Sequence, residues 1–135
     1  MKPLVVLYFF LGTFALITWP APDVRSPISD ALATNFGLYR NAAFALAVKN
    51  KTTAGDVAPV MPYGWQPMRD WRTVVEGGVC YSFGPAAADE IEAVRNVFHG
   101  SLAIGRAANG RLTPADVLLP AFIPAENLVS VLRMN

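Results

Sequence analysis

Hydrophobic positions in this chain form one unbroken run followed by several shorter, punctuated patterns. Leu4 to Trp19 (LVVLYFFLGTFALITW) contains no charged residue. Such a run is costly to leave in water and suited to lipid. Lys2 stands before it, and Trp19, Pro20 and Pro22 close it ahead of Asp23 and Arg25. Ser26-Pro27 then offers a capping hydroxyl and a proline at a first helical turn, where its missing N–H costs nothing. Apolar residues recur at Ile28, Leu32, Phe36, Tyr39, Ala43 and Leu46. Steps of four and three draw one stripe along a helix, predicted to run from Pro27 to about Lys49. Thr34 and Asn41 fall on its far face, with few charges. The stripe fits either the chain's own core or a helix–helix contact with another subunit, and its spacing does not choose between them.

Lys49 to Pro59 (KNKTTAGDVAP) is polar, small and glycine-containing, and reads as a loop or linker. The aromatic-proline stretch Met61-Pro62-Tyr63-Gly64-Trp65-Gln66-Pro67, continuing to Trp71, is unsuited to regular structure. Trp65 and Trp71 are expected to pin it to the core; stacking on a ligand is the alternative. Arg72 to Phe83 is β-branched and aromatic on both sides of Gly77-Gly78, which predicts a hairpin. A short helix from Pro67 to Glu76 capped by Gly77 competes with it.

Gly84-Pro85 should end that strand. Ala86 to Phe98 should be a helix, opened by Pro85, acidic early at Asp89, Glu90 and Glu92, basic late at Arg95 and His99, and closed by Gly100. Ser101 to Arg106 reads as a strand, Asn109-Gly110 as a turn and Arg111 to Thr113 as the return. Leu128 to Leu132 should be a terminal strand docked into the sheet. The fold class is therefore α+β: an N-terminal transmembrane helix continuing into an amphipathic helix, then a small domain of β-hairpins and one helix. The corresponding divisions are 1–22 (membrane anchor), 23–49 (amphipathic helix), 50–59 (linker) and 60–135 (small extracytoplasmic domain).

Composition narrows the function classes. The chain has 135 residues, 53% hydrophobic and only 16% charged, with a net charge of +1. The balance gives no electrostatic case for nucleic acid. The single cysteine, Cys80, leaves no internal disulfide and is expected as a buried thiol, because His99 is the sole histidine and is remote in sequence. Asp89, Glu90 and Glu92 could suggest a metal or acid–base site, but a solvated first turn explains them. No catalytic constellation, metal site or cofactor motif is expected. The candidate partner-contact residues are Ile28, Leu32, Phe36, Tyr39, Leu46, Trp65 and Trp71.

The N-terminal run is short for a span, since a bilayer-crossing helix needs about 20 apolar residues. A cleaved signal peptide would need small residues before its cut, and Thr18-Trp19-Pro20-Ala21 places a bulky Trp19 there. Trp19 suits an interfacial anchor. A single-pass anchor with a cytoplasmic N-terminus is the expectation. A secreted or periplasmic binding domain released from a signal peptide is the alternative.

The Tyr39-Arg40-Asn41-Ala42 element, Met61-Pro62-x-Gly64 with Trp71 downstream, Gly78-x-x-Tyr81 and Ile123-Pro124 before the last strand, together with the N-terminal run, resemble the PilM proteins of type IVB (thin) pilus systems. The resemblance implies a small bacterial inner-membrane protein of the pilus basal apparatus, with its C-terminal domain periplasmic. It also implies a scaffold or assembly role without catalysis or cofactor. The partners expected on this reading are the inner membrane and other pilus-assembly or membrane proteins, with no nucleic acid; the helix stripe leaves a homo-oligomer open beside them. A prepilin would carry a glycine cleavage point followed closely by glutamate; Leu4 to Trp19 has no glutamate, so the chain does not resemble a pilin subunit.

Overall fold

The computed structural model describes residues 27–134. The anchor run, Ser26 and residues 23–25 of the expected helix lie outside the described residues. Among the described residues no helix is long and apolar enough to cross a membrane. Among the described residues the architecture is α+β, with two helices, α1 (Pro27–Lys49) and α2 (Ala88–Val97), on one seven-stranded antiparallel sheet. Its strands are β1 (Gly55–Asp56), β2 (Arg72–Glu76), β3 (Val79–Pro85), β4 (Ile104–Ala108), β5 (Arg111–Thr113), β6 (Val117–Leu118) and β7 (Asn127–Arg133). Their spatial order is β1-β2-β3-β7-β4-β5-β6.

Two tight turns form where the sequence supplies residues for positive φ. Gly77 and Gly78 (φ 60° and 76°) join β2 to β3, and Asn109 and Gly110 (φ 53° and 75°) join β4 to β5, as two-residue hairpins require. β7 lies between β3 and β4, with Ser82 opposite Ser130 on one side and Ile104 opposite Ser130 on the other. The last strand is thus the centre of the sheet.

Several boundaries differ from the sequence reading, among them β4, which runs Ile104–Ala108 and not from Ser101 to Arg106. The polar loop after α1 contains the short strand β1, which pairs with Val74 and Val75 of β2. Gly84-Pro85 does not break β3; these residues pair with Leu128 and Asn127. Gly84 is there because the Trp71 ring lies against it, and a Cβ at this position would come 2.3 Å from Trp71 Cε3. α2 runs Ala88–Val97 where the sequence predicts Ala86 to Phe98, with Ala87 at its N-cap, and its first turn is not simply solvated. Ala87 has no side chain to cap with, so the Glu90 carboxylate accepts the Ala87 N–H at 2.8 Å. The same carboxylate pairs with Arg69 at 2.8 Å, and Glu90 is 6% exposed.

Both sheet faces are covered. On the helical face Leu32, Phe36, Tyr39, Trp71, Ile91, Val94, Ile104 and Leu128 share one cluster, continued by Ala43, Ala47, Val75 and Cys80. On the other, Phe83, Leu112, Leu119, Ile123 and Val129 pack together, under a loop fastened by Leu119 N–H to Gly110 O and Glu126 N–H to Ala107 O.

Candidate functional site: an aromatic groove beside a buried polar row

A row of small hydroxyls crosses the sheet beneath α1. Thr73 of β2 faces Ser82 of β3, which faces Ser130 of β7, and all three are buried. Alternation along each strand brings these side chains to the helical face. The Thr73 and Ser82 hydroxyl oxygens are 2.8 Å apart. Successive residues of α1 cap the row: Thr73 Oγ1 donates to Tyr39 Oη at 3.1 Å, and Arg40 Nε donates to Ser130 Oγ.

Arg40 is 8% exposed and has no carboxylate partner among the described residues. Its guanidinium lies 4.5 Å from the Phe98 ring centre and donates to Asn41 Oδ1 at 3.3 Å. Burial lowers its pKa, yet a guanidinium keeps its charge. The cation is therefore held by a hydroxyl, an amide and a ring face. Burial also raises the Cys80 thiol, partly offset by Arg40, and raises the Tyr39 phenol, partly offset by the Thr73 hydrogen bond. Both stay protonated at neutral pH.

The aromatic stretch before β2 is fastened to both helices. Asn35 of α1 donates to Gln66 O at 2.8 Å and accepts from Met68 N–H at 3.0 Å and Trp71 Nε1–H at 2.7 Å. The Arg69–Glu90 pair ties it to α2. Trp65 stacks near-parallel on Tyr39, with ring centres 6.3 Å apart, and its Nε1–H is buried without an acceptor. These anchors leave an open groove of about 340 Å³. Tyr39, Val57, Pro59, Met61, Trp65 and Trp71 supply its apolar lining, and Asp56, Arg69, Asp70 and Arg72 its charged rim.

The residues expected at a partner contact divide. Leu32, Phe36, Tyr39 and Trp71 are interior residues of the chain's own core, so the stripe packs inward and these residues offer little surface to a second protein. Ile28 is 60% exposed; Leu46 and Trp65 are half-buried. Tyr39, Trp65 and Trp71 do come together, at the groove. Sequence reading missed Asn35, Arg40, Glu90 and the Thr73–Ser82–Ser130 row. Only Arg40, a charge inside an apolar helix pattern, carried a local signal. Among the described residues, no three His, Cys, Asp or Glu side chains gather as a metal-holding group.

Comparison with known proteins places this architecture. No curated protein matches the chain. The crystal structure of a protein PilM from Escherichia coli B7A superposes with a TM-score of 0.56 at 16% identity, covering 83% of this chain and 99% of that one. It shares the fold. The sequence model of the PilM family matches residues 6–131. With nearly the whole chain matched, this protein belongs to the PilM family.

Proposed function

We propose that the chain is a non-catalytic component of a type IVB pilus or related conjugation or secretion apparatus, working as a scaffold through protein contacts. Membership of a pilus-related family supports this reading. In it, the N-terminal apolar run tethers the protein to the bacterial inner membrane and the folded body faces the periplasm. The observation that carries the contact role is the groove, because its aromatic wall is held by Asn35 and by the Arg69–Glu90 pair before anything binds. A preorganised apolar cleft binds with less ordering cost than a loose loop. An extended segment of another apparatus protein would place an apolar side chain against Met61 and Trp65 and supply the acceptor that Trp65 Nε1–H lacks.

A photo-crosslinker at Val60, a fully exposed neighbour of the groove, should trap one apparatus component in pilus-assembling cells. Trp65→Ala should abolish the adduct and reduce piliation while the fold persists. Full piliation and an unchanged adduct in that variant would overturn the groove's role. The tether is tested separately: Leu7→Arg with Leu11→Arg should release the protein from membranes, and retention in the membrane fraction would count against it. Mass spectrometry of the mature chain should find Met1 or Lys2 retained; a start near Asp23 would indicate the released domain.

A further inference from the structure

With the stripe of α1 turned inward, the opposite face of the helix becomes the informative one. Its exposed residues are Asp30, Ala31, Thr34, Leu38, Asn41, Ala45, Val48 and Lys49, apart from Ile28 at the edge. At 3.6 residues per turn they fall within an arc of about 100°. Between Asp30 and Lys49 no exposed residue of α1 is charged, and Leu38 and Val48 are 50% and 47% exposed. A water-facing helix side normally carries charges, and a helix apolar all round is normally covered. A lipid-surface helix would carry Lys or Arg along its polar flank; this arc has Lys49 alone, at one end.

We propose that this face pairs with the same face of a second copy of the chain, as an antiparallel α1–α1 contact about a two-fold axis level with the Tyr39–Arg40 peptide. The arc is self-complementary about that point. Reversing one helix sets Ala31 opposite Val48, Thr34 opposite Ala45, Leu38 opposite Asn41 and Asp30 opposite Lys49. Small residues meet larger ones at the first of these positions, and opposite charges meet at both ends. A two-fold contact needs such a self-complementary patch. Neither Asp30 nor Lys49 has an ion-pair partner among the described residues. The Thr34 hydroxyl already donates to Asp30 O at 3.2 Å, so covering it strands no donor. Antiparallel packing also sets the positive end of each helix dipole beside the negative end of the other. A parallel pair would instead bring Asp30 against Asp30 and Lys49 against Lys49. The contact is independent of the groove, which lies on the other side of α1, against Tyr39.

The test uses the full chain, in membranes or detergent, with Cys80→Ala and a short bismaleimide. Chains carrying Ala31→Cys alone, or Val48→Cys alone, should give no cross-linked dimer, since like positions lie about 26 Å apart along the paired helices. Co-expressing the two should give a dimer. Leu38→Glu should abolish that product without lowering the melting temperature. Asp30→Lys should weaken the dimer about three- to tenfold, and Asp30→Lys with Lys49→Asp should restore it. A dimer from Ala31→Cys alone would mean a parallel pair and would overturn the proposal. So would uncross-linked monomers in the mixture, which would leave this face to the chain's first 26 residues or to a different protein.

Discussion

Arg40 on α1 donates its Nε–H to the hydroxyl of Ser130 on β7, a residue 90 positions later and at the centre of the sheet. The bond places a cation over the one strand shared by both halves of the sheet. Charged groups are costly to bury unless their donors are met, and here a serine does part of what a carboxylate usually does. Ser130→Ala should therefore destabilise the fold by about 1–3 kcal/mol, the cost of stranding a buried donor. Arg40→Met combined with Ser130→Ala should cost less than the two single changes added together, because it removes both polar partners. Urea denaturation of the four proteins measures the coupling.

Gly84→Ala should destabilise by about 1–3 kcal/mol, the usual cost of overpacking, since the new methyl would land on the Trp71 ring. Gly84→Ala combined with Trp71→Leu should cost less than the two single changes added together. Thermal melts of the single and double variants decide it; additive losses would show that Gly84 is not there to receive Trp71.

Asn35→Ala removes the acceptor shared by Trp71 Nε1–H and Met68 N–H. The expected cost is about 2–3 kcal/mol. Limited proteolysis should show faster cleavage between residues 61 and 70, while the β2–β3 hairpin keeps its protection. The same loop should loosen more mildly in Glu90→Gln, which keeps an acceptor for Ala87 N–H but weakens the tie to Arg69.

Stability should decline on the alkaline side. Cys80 and Tyr39 both have pKa values raised by burial, so the folded chain holds these protons more tightly than the unfolded one. Their contribution is complete below the ordinary thiol and phenol ranges, near about 8.5 and 10, and is lost as pH rises through the raised folded values. Unfolding free energy should fall above about pH 8.5. Cys80→Ala should remove the earlier part of that fall. In native protein at neutral pH, Cys80 should resist alkylation until the chain unfolds.

Much of the local structure was legible because single residues dictate it. Gly77-Gly78 and Asn109-Gly110 announce their hairpins through the φ values they permit. The α1 stripe groups Leu32, Phe36, Tyr39 and Ala43 on one side of the helix, and only the structure shows that this side turns inward. Ile28 and Leu46 sit five turns apart on the edge of that stripe, where exposure rises. What could not be read is what depends on distant strands meeting. Thr73, Ser82 and Ser130 are unremarkable in sequence and become one buried row only through register. Glu90 looks like an ordinary acidic first-turn residue until Arg69 arrives from another segment. The groove was half visible: Trp65 and Trp71 marked the segment, but Asn35, which positions it, lay on a helix whose pattern concerned apolar spacing alone.

The place of β7 in the sheet bears on how the molecule is made. Until Asn127–Arg133 has left the ribosome, no strand joins the β1-β2-β3 and β4-β5-β6 groups within the sheet. Each emerges from the exit tunnel with an open flank able to pair with the wrong chain. A nascent chain would then be best kept apart from its siblings, and one halted short of this stretch should hold two half-sheets with unpaired inner edges.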